Sequence, residues 1–155
     1  MNLIDKSHAI WEGVLSPGDH VIDATCGNGH DTLFLAKSVD LERGGNVLAF
    51  DIQEKALLAT RNRLKAHFSE KIVDKSVFFL KQCHSTFRYM EREIKLIAYN
   101  LGYLPGGGDK TLTTCVPTTL KSLASALNMI CFKGILSVMC YPGHSEGKRE
   151  LKAVF

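Results

Sequence analysis

A chain of 155 residues that is 45% apolar, with a formal charge of +3, is long enough for one domain with a real core and too short for two comfortable ones, so a single domain over 1–155 is expected. Its basic residues lie along the chain without a run of five, which permits a polyanionic partner without announcing one. Cys26, Cys83, Cys115, Cys131 and Cys140 form no Cys-x-x-Cys pair, and no apolar run nears ~20 residues; this argues against a disulfide framework, a metal centre, a membrane span and a signal peptide, and for a cytoplasmic protein.

Residues 1–15 place Ile4, Ala9, Ile10, Trp11 and Val14 at partly helical spacing up to the turn signal Ser16-Pro17-Gly18. Residues 21–23 read as a strand, 32–37 as a helix, and 46–52 as a second strand after Gly44-Gly45. Over 54–68, Leu57, Leu64 and Phe68 fall at helical intervals with Lys55, Arg61 and Lys65 elsewhere on the cylinder, an amphipathic helix for a sheet face. Strands three and four are expected at 77–80 and 96–99. Then Leu120, Leu123, Ala124, Leu127 and Ile130 give the most regular helical stripe in the chain, with Pro117 suited to its first turn. Lys133-Gly134 reads as its stop, 135–140 as an apolar fifth strand of the kind buried on both faces, and 146–155 as part of a last helix. Strands alternating with helices mean an α/β fold, a mostly parallel open sheet with helices on both faces.

Such a sheet binds ligands beyond the carboxyl ends of its strands, and a polar or Gly-rich cluster follows every predicted strand. After the first comes Asp23-Ala24-Thr25-Cys26-Gly27-Asn28-Gly29. The glycines suit a sharp turn with close ligand approach, which a side chain at Gly27 or Gly29 would obstruct. A dinucleotide site wants a third glycine where Thr32 stands, so the pyrophosphate reading weakens. Asn28, His30 and Asp31 sit where unpaired backbone N–H groups welcome an anion, although Asn28 also suits a left-handed turn and Asp31 a first-turn acid. Asp51, ending the second strand, suits both hydroxyls of a ribose or a helix N-cap. Gln53 reads as a ribose or adenine contact or as a solvated helix start. Asn100-Leu101-Gly102-Tyr103 resembles an element by which amino-group methyltransferases hold a nitrogen, which implies that Asn100 offers a carbonyl to an acceptor amine, while Tyr103 offers a ring on which a base stacks. His84, Tyr103 and Asp109 are the candidates for keeping that amine uncharged.

The spacing Asp23-x-x-x-Gly27-x-Gly29 resembles motif I of the class I S-adenosylmethionine (SAM) methyltransferases, and Asn100-Leu101-Gly102-Tyr103 resembles the Asn/Asp-Pro-Pro-Tyr element of amino-group methyltransferases. With Ser7-His8, the string from Asp23 to Thr32, the string from Asn100 to Gly107, and Pro117-Thr118-Thr119, the whole chain is similar to the small bacterial SAM methyltransferases grouped as rRNA methylases. Members of that group methylate the 5-aminomethyl group of the tRNA wobble uridine. The resemblance implies a Rossmann-like class I methyltransferase fold. It also implies SAM as cofactor, held by Gly27, Asn28, Asp31, Asp51, Gln53 and the adenine-side pair Cys83-His84, with Asp23 near the ligand's ammonium group. Asn100 and Tyr103 would serve the acceptor, the anticodon loop of a tRNA; a homodimer is allowed and a membrane is not involved. An rRNA or small-molecule amine acceptor, or a truncated inactive SAM-binding domain, are the alternatives. Three departures stand out. Gly106-Gly107-Gly108 is one glycine longer than the family pattern, Cys83 replaces a small polar residue, and the class ordinarily continues past strand five with a helix and two more strands, roughly 30 residues.

Overall fold

The computed structural model describes residues 2–87 and 93–155. Strands β1 (His20–Asp23), β2 (Asn46–Asp51), β3 (Val77–Lys81), β4 (Ile94–Leu101) and β5 (Ile130–Cys140) form one sheet in the order β3-β2-β1-β4-β5. Every pairing is parallel. Because side chains alternate along a strand, Val21, Val47, Leu96 and Ala98 point to one face and Ile22, Phe50, Ile97 and Tyr99 to the other. The first face is covered by α1 (Leu3–Glu12), α2 (His30–Ser38), α3 (Glu54–Lys65) and α4 (Glu70–Ser76) through Trp11, Leu35, Leu64 and Val73. The second is covered by α5 (Val116–Met129) and α6 (Ser145–Val154) through Ala126, Met129 and Val154. Full burial of a side chain such as Leu35, Leu64 or Val73 contributes about 1.5–3 kcal/mol.

Two expectations are corrected, the helix stop at Lys133-Gly134 and the burial of the fifth strand on both faces, and two features were not anticipated. Helix α4 was not anticipated: it is short and charged, with only Ile72 and Val73 apolar, and its start is marked by Ser69, whose side chain accepts from the Ile72 N–H at 3.3 Å. On α5 the leucine stripe is split, with Leu120 and Leu127 exposed and Leu123 and Ile130 packed on the core, while Thr119, Ser122, Ala126 and Met129 are buried. The inward face is partly polar because its hydroxyls have buried partners: Thr119 donates to Glu150 Oε1 at 2.6 Å, and Ser122 to the His84 carbonyl at 2.9 Å. Lastly, Lys133-Gly134 is a bulge inside β5 rather than a helix stop. Ile94 pairs with Ile130 but Leu96 with Ile135, Lys133 takes φ 60°, and a Cβ at Gly134 would lie 2.8 Å from the Ile130 side chain. At the sheet's edge, β5 is half-buried rather than covered on both faces.

Candidate active site

Strand order reverses between β1 and β4, and the loops leaving all five carboxyl ends close around one cleft of about 910 Å³, the size of an ordinary ligand pocket. The β1 loop contributes Gly27, Asn28 and Gly29, and the first turn of α2 Asp31; the ends of β2 and β3 contribute Asp51 and Gln53, then Cys83 and His84; and β4 and its loop contribute Asn100 and Tyr103. The end of β5 adds Tyr141 and His144.

Asp23 stands apart: it lies behind the wall, fully buried, and does not line the cleft. Its Oδ2 accepts from the Thr32 hydroxyl at 2.6 Å and its Oδ1 from the Thr25 N–H at 3.2 Å, so it ties β1 to α2 instead of meeting a ligand's ammonium. Burial pushes its carboxyl up to about 7 from an ordinary 3.8, with the Thr32 hydrogen bond pulling the other way. Between those values the folded chain holds a proton that the unfolded chain releases, so this group's stabilisation is complete below about pH 4 and lost as pH rises through about 7. His84, which burial depresses from 6.5 to about 4, works oppositely, adding stability as pH rises across that interval. The Asp23→Asn variant isolates the first effect: its urea midpoint is expected to fall less than wild type's between about pH 5 and about pH 8. Equal falls would contradict this account.

Asp51 is fastened by its neighbours. Its Oδ2 accepts from the Gly27 N–H at 3.0 Å and its Oδ1 from the Gln53 N–H at 2.8 Å, leaving a lone pair on each oxygen for further donors. Burial raises its carboxyl against those backbone bonds. It is not the N-cap of α3; Gln53 is, with no side-chain cap bond. Gly29 is the left-handed N-cap of α2, at φ 79°. A Cβ there would meet α3 rather than a ligand, 2.7 Å from Thr60 Cα, while the Thr60 hydroxyl donates to the Gly27 carbonyl at 3.0 Å. Asn28 is not left-handed; its amide bridges the cleft mouth, donating to the Pro105 carbonyl at 3.0 Å.

Beyond β4 the chain folds back on itself through a Tyr103–Thr113 bridge and a Thr114 N–H to Gly102 carbonyl bond of 3.1 Å. Helix α6 holds the far end of this loop. Glu150, fully buried, accepts from the Thr114 hydroxyl at 2.8 Å, and Glu146 accepts from the Val116 N–H at 3.0 Å. One neighbour of the Tyr103 ring is Lys110, its ammonium 5.4 Å from the centroid, and another is the His144 ring at 5.5 Å. Asp109 does not line the cleft; its carboxylate accepts from the Thr111 N–H at 2.9 Å. Asn100 is held at both ends, its backbone N–H donating to Thr25 Oγ1 and its Nδ2 to Asp31 Oδ2, each at 2.7 Å. Asp31 Oδ1 in turn faces His8 Nε2 at 2.7 Å.

Sequence reasoning assigned no role to His8, Tyr141 or Glu150. A signal for His8 existed: His8 and Trp11 share one face of α1 by spacing, so a polar residue stands beside a large apolar one.

A family described as "Putative rRNA methylase" matches residues 47–155. The chain belongs to that family. Among relatives, the "tRNA (mnm(5)s(2)U34)-methyltransferase, chloroplastic" of Arabidopsis thaliana is 40% identical across 97% of this chain, which spans 56% of that protein's length. A "putative rRNA-methylase" structure from Clostridium thermocellum superposes with TM-score 0.89 at 36% identity, covering 99% of this chain and 80% of the other. A "putative methyltransferase" from Streptococcus mutans, in complex with SAH, gives 0.81 at 33% identity, covering 99% and 79%. The Rossmann-like methyltransferase fold implied by the motifs is therefore the fold of this rRNA methylase family member. Among the described residues, no helix is long and apolar enough to cross a membrane.

The cleft's donors and acceptors suit a nucleoside carrying an amino acid. Asp51 has free acceptor capacity. Among the described residues, His84 Nδ1 is buried without a hydrogen-bond partner, and the residue lies on the cleft wall. Leu101, Leu104 and Leu112 add apolar lining around the space left for the donor and acceptor groups.

Proposed function

We propose that this chain binds SAM in the cleft and methylates an RNA amine, the 5-aminomethyl nitrogen of the tRNA wobble uridine. The observation that carries this reading is the meeting, in one cleft, of a nucleoside half (Asp51, Gln53, Cys83, His84) with an amine half (Asn100, Tyr103). Gly27, Asn28, Gly29 and Asp31 lie between the two halves and would hold the amino-acid end. The tRNA named for the Arabidopsis relative supports the acceptor; that relative is chloroplastic, and a cytoplasmic location for this chain is part of the proposal.

SAM supplies an electrophilic methyl group on a sulfonium. For transfer, the acceptor must be a neutral amine. The apolar wall disfavours its charged form, and the Asn100 Oδ1 accepts one N–H so that the lone pair faces away from the strand end. The nitrogen forms a bond to the methyl carbon as the carbon–sulfur bond breaks, and the methylated ammonium then releases its proton to solvent. Little more than placement is needed, since alignment of two reactants removes much of the barrier of a bimolecular displacement. Tyr103, with one ring neighbour in Lys110, offers stacking surface to an unpaired base of the kind that proteins read in loops.

The deciding experiment supplies radiolabelled SAM together with tRNA and rRNA from methylase-deficient cells. Label in tRNA, recovered as methylated 5-aminomethyluridine on nucleoside analysis, is the expected result. Label in rRNA alone, or in neither, would overturn the assignment.

A further inference from the structure

The amide of Asn100 has two ends with opposite chemistry, and which one meets the acceptor decides whether the amine's lone pair is free. A carbonyl oxygen takes an N–H and leaves the lone pair exposed. A flipped amide would instead donate to that lone pair and occupy it. The structure contains a device that chooses. Asp31 Oδ2 can only accept when ionised, so the group facing it at 2.7 Å is Asn100 Nδ2. This turns Oδ1 toward the cleft, where the Tyr141 hydroxyl lies 3.4 Å away. A carboxylate on its own rotates about its side-chain bonds; here its second oxygen meets His8 Nε2 at 2.7 Å. The His8 ring is fixed in turn, stacked on Phe34 with centroids 3.8 Å apart and tilted against buried Trp11 at 5.1 Å. His8 itself does not line the cleft.

We infer that His8 is a positioning residue for methyl transfer: through Asp31 it locks the Asn100 amide with its oxygen toward the acceptor nitrogen. The inference rests on the proposed amine methylation for its consequence, and on the hydrogen-bond chain alone for its geometry. It links α1 and the β1 loop to the end of β4, and it gives α1 a task beyond packing.

Two substitutions separate a hydrogen-bonding role from a packing role. His8→Phe keeps the ring against Phe34 and Trp11 but removes the donor. His8→Gln discards the ring and restores an N–H near the position of Nε2. The expected result is a fall in kcat of about tenfold for His8→Phe with KM for SAM changed less than about twofold, and recovery to within about threefold of wild type for His8→Gln. A readout independent of turnover is the Asn100 side-chain amide in nitrogen-15 spectra, identified by its loss in Asn100→Asp. Its hydrogen exchange should quicken about tenfold in His8→Phe and stay near wild type in His8→Gln. Unchanged exchange in His8→Phe, or a His8→Gln variant impaired as deeply as His8→Phe, would overturn the positioning role. Should wild type transfer no methyl group at all, the functional proposal fails, while the exchange comparison still decides the role of His8.

Discussion

Replacing Asn100 with alanine is expected to lower methyl transfer by about a hundredfold or more while SAH affinity stays within about twofold of wild type. Asn100 sits at the end of β4, with its backbone N–H fixed by Thr25 Oγ1 and its side chain by Asp31. Truncation at Cβ leaves the strand and the backbone bond intact, so the nucleoside half of the cleft keeps its shape. What disappears is the acceptor that the proposed reaction aims at the amine, together with one partner of Asp31, whose side chain is only 9% exposed and stays held by His8 Nε2. A kcat loss with unchanged affinity is the signature of an interaction made with the reacting group alone. Equal losses of affinity and turnover would mean that Asn100 belongs to the cofactor half instead.

Gly29→Ala is expected to cost roughly 2–4 kcal/mol of stability and to abolish measurable SAH binding. Two penalties combine. The residue holds φ 79°, where a side chain is strained, and its Cβ would lie 2.7 Å from Thr60 Cα and 2.8 Å from Thr60 Oγ1. Backbone cannot swing aside as a flexible side chain can, so α2 and α3 must separate, and the Gly27 carbonyl loses its bond from Thr60. Gly44→Ala is the control: it shares a positive φ of 91° but meets nothing within 4 Å, and should cost only about 1 kcal/mol. Comparable losses in the two variants, measured by chemical denaturation, would show that backbone strain alone explains the glycine.

These two residues illustrate what was legible in the sequence. The alternation of short apolar runs and helical spacings gave away the α/β sheet, and the clusters after each strand named nearly all of the cleft, because parallel sheets place their loops at one edge. Side-chain partners were less readable. Gly29 looked like a ligand-approach glycine, yet its close neighbour is Thr60, a contact between residues 31 positions apart in the chain. Asp23 looked like a ligand for an ammonium group, yet Thr32 and burial claim it. On α5, periodicity revealed a helix but not that Thr119 and Ser122 are buried on it, where Glu150 and Tyr99 supply their hydrogen bonds. Long-range polar pairing overrides a hydrophobic pattern without leaving a local mark.

Calorimetric titration of SAH into the folded chain tests the central claim most directly, namely that the edge formed by β1, β2 and β4 is built to hold this nucleoside. The account predicts saturable one-to-one uptake, weakened by about 1–3 kcal/mol in Asp51→Ala through loss of a charged acceptor. Absence of binding heat in wild-type protein whose thermal unfolding is cooperative, or undiminished affinity in Asp51→Ala, would contradict it.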